Sequence, residues 1–301
     1  MSHKDSMKLG FVGFIYSPPA ELEGMIERVK WQTSKVHELG GSVFHLGGMP
    51  LLPDDASKLE DLKEHIESIG VELELGCPYI FSLLGDGAKE AREGLKKQFE
   101  KARLLGINIM RAGYGKLNLA TSRYNKAYPK KDQMRFIIES LKETGKIFED
   151  AGLHFALENH CDFTGKEFAE IFSSVNSSHV GCTLDTANGF TVFCDANDDI
   201  ENLAEFAFTT HIKDMVIEDS DPALGMVPLA AWGCAVGNGH VDIPRALEIL
   251  DEKSPFADGL HLIIEQSWMK YAGMAQADKG SYDKECVHKG MKYLKNLLGR
   301  A

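Results

Sequence analysis

The sequence predicts a closed (β/α)₈ barrel, built as one domain over residues 1–301. The first observation is a repeating unit, in which a helix-like segment ends at a glycine and an apolar, strand-like run follows at once. The second is that these runs, such as "LHFAL" at 153–157, are apolar at nearly every position, which is typical of a parallel sheet covered by helices. The third is an asymmetry of loops: helix-to-strand connections are short, whereas several strand-to-helix connections are long.

Four copies of the unit give the first half of the barrel in order. They are "WQTSKVHELGGSVFHLGG" at Gly40, "LKEHIESIGVELELG" at Gly70, "FEKARLLGINIMRAG" at Gly106 and "TGKIFEDAGLHFALEN" at Gly152. Glycine is the expected residue just past a helix, because it adopts positive φ without steric cost. The second half is marked by the strand-like runs "VGCTLD", "TTHIKDM" and "LIIE". In the same half, Asp242 and Pro244 are typical of a helix cap and a first helical turn.

Extended along the chain, the pattern predicts eight strands and eight helices. The strands lie near residues 8–14, 42–46, 71–76, 107–112, 154–159, 180–185, 208–213 and 260–265. The helices lie near residues 20–39, 54–69, 87–105, 131–151, 165–175, 197–207, 243–252 and 282–298. Eight βα units in a chain of this length are typical of a closed barrel.

An open, doubly wound sheet is the alternative to the barrel. Its usual glycine-rich turn after the first strand is missing, since the chain has "GFIYSPPAE" at that place. The long loops, 113–130, 214–241 and 266–281, all leave the carboxyl ends of strands. In a barrel those ends form the rim on which active sites are built, so the loops predict where the chemistry lies.

Composition and charge exclude several classes of function. Hydrophobic residues make up 44% and charged residues 26% of the chain, as in globular proteins with a core, and no run is long enough to cross a membrane. The formal net charge is −12 and no basic stripe occurs, so nucleic acid is not expected as a partner. The six cysteines form no C-x-x-C pair and the N-terminus has no secretory pattern, which together predict a reduced, cytoplasmic protein.

Four successive predicted strands carry a metal-binding type of side chain at or near their ends: Glu158, Asp185, His211 and Glu265. Any one of them alone is explained as well by a helix cap or an ion pair, but four in a row are not. In a closed barrel they meet at one rim, where three unpaired carboxylates would repel each other strongly. A divalent cation removes that conflict, and this donor set suits Mn²⁺, Mg²⁺, Co²⁺ or Zn²⁺.

Two further side chains at this rim are candidate catalytic groups. His160 lies two residues past Glu158 and Lys213 two past His211, hence on the same sides of their strands. His160 is a candidate acid–base group, and Lys213 is a candidate for stabilising a developing enolate. The alternatives are an outer-shell role for His160 and an ion pair with a ligand carboxylate for Lys213.

Candidate substrate-binding residues occupy other strand ends and one long loop: His45, Arg111, Asn188 and Trp268. Three of them have an alternative, purely structural role. His45 is equally explained as a core histidine, Arg111 as an ion-pair partner of Glu72 or Glu74, and Trp268 as a packing residue.

The strand-end motifs resemble those of the sugar isomerase/epimerase superfamily, with its xylose isomerase-like TIM barrel, which also contains endonuclease IV. "ALENH" resembles the fifth-strand motif, "LDTAN" the sixth, "HIKD" the seventh and "LIIE" the eighth, with "GNGHVDIPRALEIL" before the last strand. The resemblance covers nearly the whole chain. It implies that Glu158, Asp185, His211 and Glu265 are the ligands of one divalent metal ion.

Departures from the family pattern narrow the implied function. The endonuclease branch has a His three residues after the sixth-strand Asp, where this chain has Asn188, and a His pair after the seventh strand that this chain lacks. With the acidic charge, this argues against DNA repair of the AP-endonuclease kind. The ketose 3-epimerase branch also has His at that position, and Arg where this chain has Ile217. The substrate contacts of those epimerases are therefore not expected here.

The leading hypothesis is a divalent-metal-dependent isomerase or epimerase of a small sugar or sugar-derived α-hydroxy-ketone. The metal would polarise the carbonyl, while Glu158 and Glu265 exchange protons with the neighbouring carbon through an enediolate. The alternative is a metal-dependent lyase or dehydratase of a keto-inositol, a 3-keto-sugar or a related keto-acid on the same barrel. A non-catalytic metal-binding protein is the third hypothesis. The resemblance also implies a homodimer or homotetramer.

Overall fold

In the computed structural model, which describes residues 2–46, 52–78, 80–115, 117–220, 229–271 and 273–300, eight parallel strands close into a barrel. The strands follow one another around the barrel in chain order, and the last pairs with the first. The barrel strands are β1 Lys8–Val12, β2 Val43–His45, β3 Glu72–Gly76, β4 Ile109–Ala112, β5 His154–Glu158, β6 Val180–Asp185, β7 Ala207–Ile212 and β10 His261–Ile264. A separate antiparallel hairpin consists of β8 Asp214–Asp219 and β9 Leu229–Cys234.

Helices alternate with the barrel strands: α1 Met25–Glu38, α2 Ala56–Ile69, α3 Ala88–Leu104, α4 Lys130–Ala151, α5 Gly165–Val175, α6 Ala196–Leu203, α7 Ile243–Lys253 and α8 Gln276–Leu297. The predicted fold class is confirmed, and each predicted strand overlaps a barrel strand. The predicted glycine caps are also found, since Gly70 and Gly152 end α2 and α4 with φ of 65° and 66°. No helix among the described residues is both long and apolar enough to cross a membrane.

The main core lies between the barrel and the helices. Phe155 of β5 packs edge-to-face on Phe148 of α4 at 5.5 Å between ring centroids, and Phe99 of α3 meets the same ring at 4.9 Å. All three side chains are buried. These aromatic contacts pack β5 against α4, and α4 against α3.

The hairpin was not predicted from the sequence. It lies inside the predicted loop 214–241 and pairs residues from Asp214 with Cys234 to Asp219 with Leu229. Residues 221–228 of the same loop lie outside the described residues. Most residues of the hairpin are half-exposed, so neither strand has the continuous apolar run by which the barrel strands are recognised.

Two helix starts also differ from the prediction. Helix α1 begins at Met25 rather than near residue 20, because Gly24 precedes it in a non-helical conformation with positive φ of 84°. Helix α8 begins at Gln276 rather than near residue 282. Its first turns, "QADKGS", have no apolar periodicity, so the pattern detected only the later part of the helix.

Candidate active site and metal centre

Four strand-end residues meet at the carboxyl end of the barrel interior. Glu158 ends β5, Asp185 ends β6, His211 is the penultimate residue of β7, and Glu265 directly follows β10. Each offers one ligand atom, and these atoms all lie within 4.8 Å of one another. All four residues are buried. The register of β6 and β7, which sets Asp185 beside His211, contributes to this meeting. The structure thus brings together the donor set that the strand ends predict.

Asn159 fixes the end of β6. Its side-chain oxygen accepts a hydrogen bond from the Asp185 backbone N–H at 2.6 Å, and its amide nitrogen donates to the Asp185 carbonyl oxygen at 2.9 Å. In turn, Oδ1 of Asp185 accepts from the backbone N–H groups of Ala187 and Asn188 at 2.9 and 3.0 Å. One carboxylate oxygen of Asp185 therefore holds the turn, and Oδ2 is left for the centre.

Lys213 is a buried cation between two of the carboxylates. Its Nζ lies 2.7 Å from Oδ2 of Asp185 and 3.4 Å from Oε1 of Glu265. It also donates to Oδ1 of Asn188 at 3.1 Å. Burial lowers the pKa of Lys213, but the carboxylates of Asp185, Glu265 and Glu158 raise it by more. The ammonium group is therefore charged at neutral pH.

Glu158 is surrounded by nitrogen groups. Its Oε2 accepts a hydrogen bond from Nη1 of Arg111 at 2.5 Å, and its Oε1 lies 3.3 Å from Nδ1 of His211 and 3.6 Å from Nε2 of His160. Burial raises the pKa of Glu158, but His160, His211 and Arg111 together hold it well below its usual range. The carboxylate is therefore ionised.

His45 lies next to Arg111 and orients it. Nε of Arg111 donates to Nε2 of His45 at 2.9 Å. Burial and the neighbouring guanidinium of Arg111 lower the pKa of His45 well below its ordinary value, so the imidazole is neutral and accepts this hydrogen bond. His45 thus acts on the site through Arg111.

His211 lies between two carboxylates. Its Nδ1 is 3.3 Å from Oε1 of Glu158 and forms a closer ion pair with Oε2 of Glu265. Burial and Arg111 lower the pKa of His211, but Glu265 and Glu158 raise it, and the result is about 9. Burial raises the pKa of Glu265, but Lys213 and His211 lower it to about 2. A proton on His211 thus supplies part of the positive charge that the carboxylates require.

The donor set fits a divalent cation. Nε2 of His211 is buried and has neither a hydrogen bond nor an ion pair among the described residues, whereas Oδ2 of Asp185 and Oε2 of Glu265 contact only the cationic groups of Lys213 and His211. A buried polar atom without a partner is costly, and an imidazole nitrogen is a metal-ligand atom. Carboxylate oxygens with one imidazole nitrogen are ligands that Mg²⁺, Mn²⁺, Co²⁺ and Zn²⁺ accept.

A cavity of about 490 Å³ adjoins the four groups. Its polar lining comes from Glu158, Glu265, Lys213, Arg111 and His160. The rest of its lining is largely apolar, and includes Phe14, Cys77, Pro78, Ile80, Phe81, Leu117 and Trp268. The ring centroid of Trp268 lies 4.8 Å from Nζ of Lys213. A few charged groups within an apolar wall are typical of a small-molecule site.

The predicted site residues divide into two sets relative to this cavity. Those that line it are Glu158, Glu265, His160, Lys213, Arg111 and Trp268; those that are buried without lining it are Asp185, His211, His45 and Asn188. Arg111 pairs with Glu158, so the alternative pairing with Glu72 or Glu74 is wrong. Lys213 does pair with candidate ligand carboxylates, as its alternative proposed.

Two residues that shape the site were missed by the sequence analysis, Asn159 and Asp162. Asp162 is buried, and its Oδ2 accepts a hydrogen bond from the backbone N–H of Gly115 at 3.1 Å. Burial raises the pKa of Asp162 to about 6. A Cβ at Gly115 would lie 2.0 Å from its Oδ1, so this approach of the loop requires glycine. Both missed residues belong to the polar run "ENHCD", which was the available signal.

Comparison with known families gives one match. A family model described as xylose isomerase-like TIM barrel matches residues 34–297. No curated protein sequence matches the chain. The matched range includes all four candidate metal ligands.

Several solved structures have the same fold. A xylose isomerase-like TIM barrel protein from Mycobacterium smegmatis, in complex with magnesium, is 15% identical over 100% of both chains, with a TM-score of 0.71. D-Psicose 3-epimerase from Clostridium cellulolyticum H10, with D-tagatose, is 18% identical over 96% of this chain and 97% of that one, with a TM-score of 0.67. The IolI protein with a zinc atom is 18% identical over 98% of both chains, with a TM-score of 0.62. At these identities the likeness establishes the fold alone.

Proposed function

This chain belongs to the xylose isomerase-like TIM barrel family, and we propose that it is a divalent-metal-dependent isomerase or epimerase. Its substrate in this proposal is a small sugar or a sugar-derived α-hydroxy-ketone. The observation that carries the proposal is the meeting of three carboxylates and one imidazole within 4.8 Å, beside a cavity. The magnesium complex, the 3-epimerase and the zinc-bearing protein with the same fold support it.

We propose that one divalent cation is held by Glu158, Asp185, His211 and Glu265, with Mn²⁺, Mg²⁺, Co²⁺ and Zn²⁺ as the candidates. When bound, such a cation polarises the carbonyl of an α-hydroxy-ketone and offsets negative charge on its oxygens. The buried Nε2 of His211, which has no partner among the described residues, supports this assignment. Asn159 supports it as well, because outer-shell partners commonly orient metal ligands.

Two carboxylates are proposed to move the proton. Glu158 and Glu265 both line the cavity, and neighbouring cations keep both ionised although burial opposes this. One removes a proton from the carbon beside the carbonyl to give an enediolate, and the other returns it. Return to the opposite face of the same carbon gives an epimer, whereas return to the adjacent carbon gives an aldose–ketose isomer.

The neighbours of these carboxylates would assist the same step. His160, at 3.6 Å from Glu158, is the proposed additional acid–base group. Lys213, at 3.4 Å from Glu265, would stabilise negative charge on a substrate oxygen. Arg111 and Trp268 line the cavity and are the proposed substrate contacts.

His45 and Asn188, predicted as substrate-binding residues, are proposed to act through their neighbours. His45 holds Arg111 by the 2.9 Å hydrogen bond, and Asn188 holds Lys213 by the 3.1 Å hydrogen bond. Both side chains are buried and neither lines the cavity.

A second candidate function is a lyase or dehydratase acting on a keto-inositol, a 3-keto-sugar or a related keto-acid. The observation that favours it is the contact between Asn188 and Lys213, because Asn188 stands at the position where the ketose 3-epimerase pattern has a histidine. The same enolate step would serve both functions. In the lyase, the enolate would expel a leaving group from the next carbon instead of regaining a proton.

The test is proton exchange with solvent. The protein, loaded with Mg²⁺, is incubated with keto-sugars in D₂O, and the substrate C–H signals are followed by NMR. We expect exchange that a chelator abolishes, and the product spectrum separates isomerase from lyase. Glu158→Gln should slow the exchange by about 10²- to 10⁴-fold, the usual contribution of a positioned acid or base.

Glu74→Gln is the matched control for this variant. Glu74 is also a buried carboxylate of a barrel strand, but it does not line the cavity. The exchange rate of the Glu74→Gln variant should stay close to that of the unmodified protein. Unchanged exchange in Glu158→Gln with metal bound would contradict the proton-transfer role. No exchange across a broad panel of keto-sugars would count against the proposed function itself.

A further inference from the structure

An apolar groove of about 410 Å³ lies at the carboxyl rim, next to the catalytic cavity. We call it the rim groove. Its apolar lining is Leu117, Leu119, Tyr124, Phe193, Ala231 and Trp268. These residues come from the loop after β4, the loop after β6, strand β9 and the loop after β10. No residue is shared with the four candidate metal ligands.

The rim groove adjoins the cavity. Leu117 and Trp268 line both of them. On its cavity side, Trp268 stacks over Lys213, whose Nζ contacts Asp185 and Glu265. A substituent that reaches past Leu117 and Trp268 from the cavity would therefore enter the groove.

The groove residues have unusual backbone conformations. Leu117, Phe193 and Trp268 adopt positive φ of 56°, 59° and 53°, and the only other non-glycine residue among those described that does so is Asn176, at a helix end. Large side chains rarely adopt this conformation, because Cβ then lies close to the backbone. Strain of this kind clusters at ligand-binding sites. Here it directs three large apolar side chains into one groove rather than into the core.

The groove is exposed, and its described lining, which also includes the polar side chains of Asn118, Ser122, Cys161 and Thr191, is uncharged. Phe193 is 85% and Leu119 71% exposed, although apolar groups of this size are usually buried. No charged side chain is among the described residues that line it. A phosphate group on the substrate would need Lys or Arg at this place, so the lining favours a neutral, apolar group.

The walls of the groove are held together by direct contacts. Oη of Tyr124 donates a hydrogen bond to the carbonyl oxygen of Val192 at 3.1 Å. The rings of Tyr124 and Phe193 meet nearly edge-to-face, with centroids 6.1 Å apart and planes at 72°. The loops after β4 and β6 are thus joined, and the groove is formed before any ligand enters.

From these observations, and resting on the proposed function, we propose that the natural substrate carries an apolar aryl or alkyl substituent that occupies the rim groove. Its sugar-like half then lies in the cavity, against Arg111, Lys213 and the metal ligands. The substrate class is a keto-sugar glycoside or a similar conjugate rather than a free or phosphorylated sugar. A second copy of this chain is the competing occupant, and the experiment below distinguishes the two.

The test compares phenyl and methyl 3-keto-β-D-glucopyranosides with the protein loaded with Mg²⁺. Calorimetry gives the two dissociation constants, and NMR in D₂O gives the exchange rates. The phenyl compound should bind about tenfold more tightly or better, because its ring is removed from water in the groove. Phe193→Ser and Leu119→Ser should each remove most of this preference, while Phe193→Leu should retain it. None of the three variants should change the binding or exchange of the methyl compound.

Leu84→Ser is the control, since Leu84 is an exposed leucine that lines neither the cavity nor the groove. Equal affinities for the two glycosides, with exchange intact, would overturn the inference and leave the proposed function standing. A phenyl preference without exchange in either compound would support the groove and contradict the proposed function. If Phe193→Ser halves the mass in light scattering and the affinities are equal, the groove is an interface between copies, and the inference fails.

Discussion

Two clusters of carboxylate and histidine lie towards opposite ends of the barrel strands. The upper cluster, at the carboxyl ends of the strands, consists of Glu158, Asp185, His211 and Glu265. The lower cluster lies at the amino ends and consists of Lys8, Glu72, Glu74 and His261, the early residues of β1, β3 and β10. Both contain buried ionisable groups, Glu74 and His261 in the lower cluster and all four residues in the upper one, yet their surroundings differ.

The lower cluster is paired within itself. Nδ1 of His261 lies 2.6 Å from Glu74 and Nε2 lies 3.3 Å from Glu72, whose carboxylate also pairs with Lys8 at 2.5 Å. One oxygen there, Oε2 of Glu74, has no hydrogen bond. Burial lowers the pKa of His261, but Glu72 and Glu74 raise it, and the result is about 9. Two carboxylates are matched by two cations.

The upper cluster leaves Nε2 of His211 without a hydrogen bond or an ion pair among the described residues. It also adjoins a cavity. The comparison teaches that residue type alone does not identify a metal centre in a barrel. What distinguishes the upper cluster is the convergence of four ligand residues, one of which has a buried nitrogen without a partner among the described residues, beside a cavity that two of the four residues line.

The largest effect that sharpens this comparison is loss of metal affinity in the upper cluster. Asp185→Asn should weaken Mn²⁺ binding by more than about 100-fold, the upper end of what loss of an outer-shell partner causes. The reason is the loss of a charged ligand oxygen. Competition with a fluorescent chelator measures the dissociation constants. Glu74→Gln, in the lower cluster, should leave the affinity unchanged, and equal losses in both variants would break the distinction.

The second effect is the loss of stability when the lower cluster is broken. His261→Ala leaves Glu74 buried without its cation, and removal of one partner of a buried ion pair costs about 3–5 kcal/mol. Urea unfolding measures the free energy of unfolding. Mn²⁺ affinity of the folded variant should be that of the unmodified protein. A stable variant that has lost Mn²⁺ binding would assign the lower cluster to the metal site.

The third effect is the pH dependence of the same stability. The pKa of His261 is raised from 6.5 to about 9, so its contribution is fully present below pH 6.5 and is lost as pH rises through about 9. The melting temperature of the unmodified protein, minus that of His261→Gln, should therefore fall between pH 6.5 and pH 9. A difference in melting temperature that stays constant over this range would show that folding does not raise the pKa of His261.

The fourth and smallest effect concerns Asn159. Its two hydrogen bonds hold the backbone of Asp185, so Asn159→Ala should weaken Mn²⁺ binding by about tenfold, the lower end for an outer-shell partner. Competition with the same chelator measures it. Asn202→Ala, which alters a half-buried asparagine of α6 that does not line the cavity, is the control. Affinity that is unaffected by Asn159→Ala would mean that Asp185 is held by the turn after β6 alone.

The sequence predicts the barrel well because its signals are local. A glycine after a helix and an apolar run after the glycine depend on neighbouring residues only. The spatial proximity of Glu158 and Asp185 follows from these local signals, since parallel strands in a closed barrel end at one rim. The homo-oligomer and the cytoplasmic location stay predictions.

What the sequence does not predict depends on contacts between distant segments. The pairing of Arg111 with Glu158 rather than with Glu72 or Glu74 depends on strand geometry that no local pattern contains. The same holds for Asn159, whose hydrogen bonds cross from β5 to β6. The hairpin β8–β9 was missed because its half-exposed strands have no strong apolar period.

The most direct test of the central claim, that the upper cluster is a metal centre, is calorimetric titration with Mn²⁺ at pH 7 in two buffers of different ionisation enthalpy. His211 has a pKa raised to about 9 and is protonated at that pH, although a histidine must give up its proton to bind a metal ion. We expect one Mn²⁺ ion per chain and the release of about one proton. The absence of saturable binding, or binding without proton release, would contradict this account.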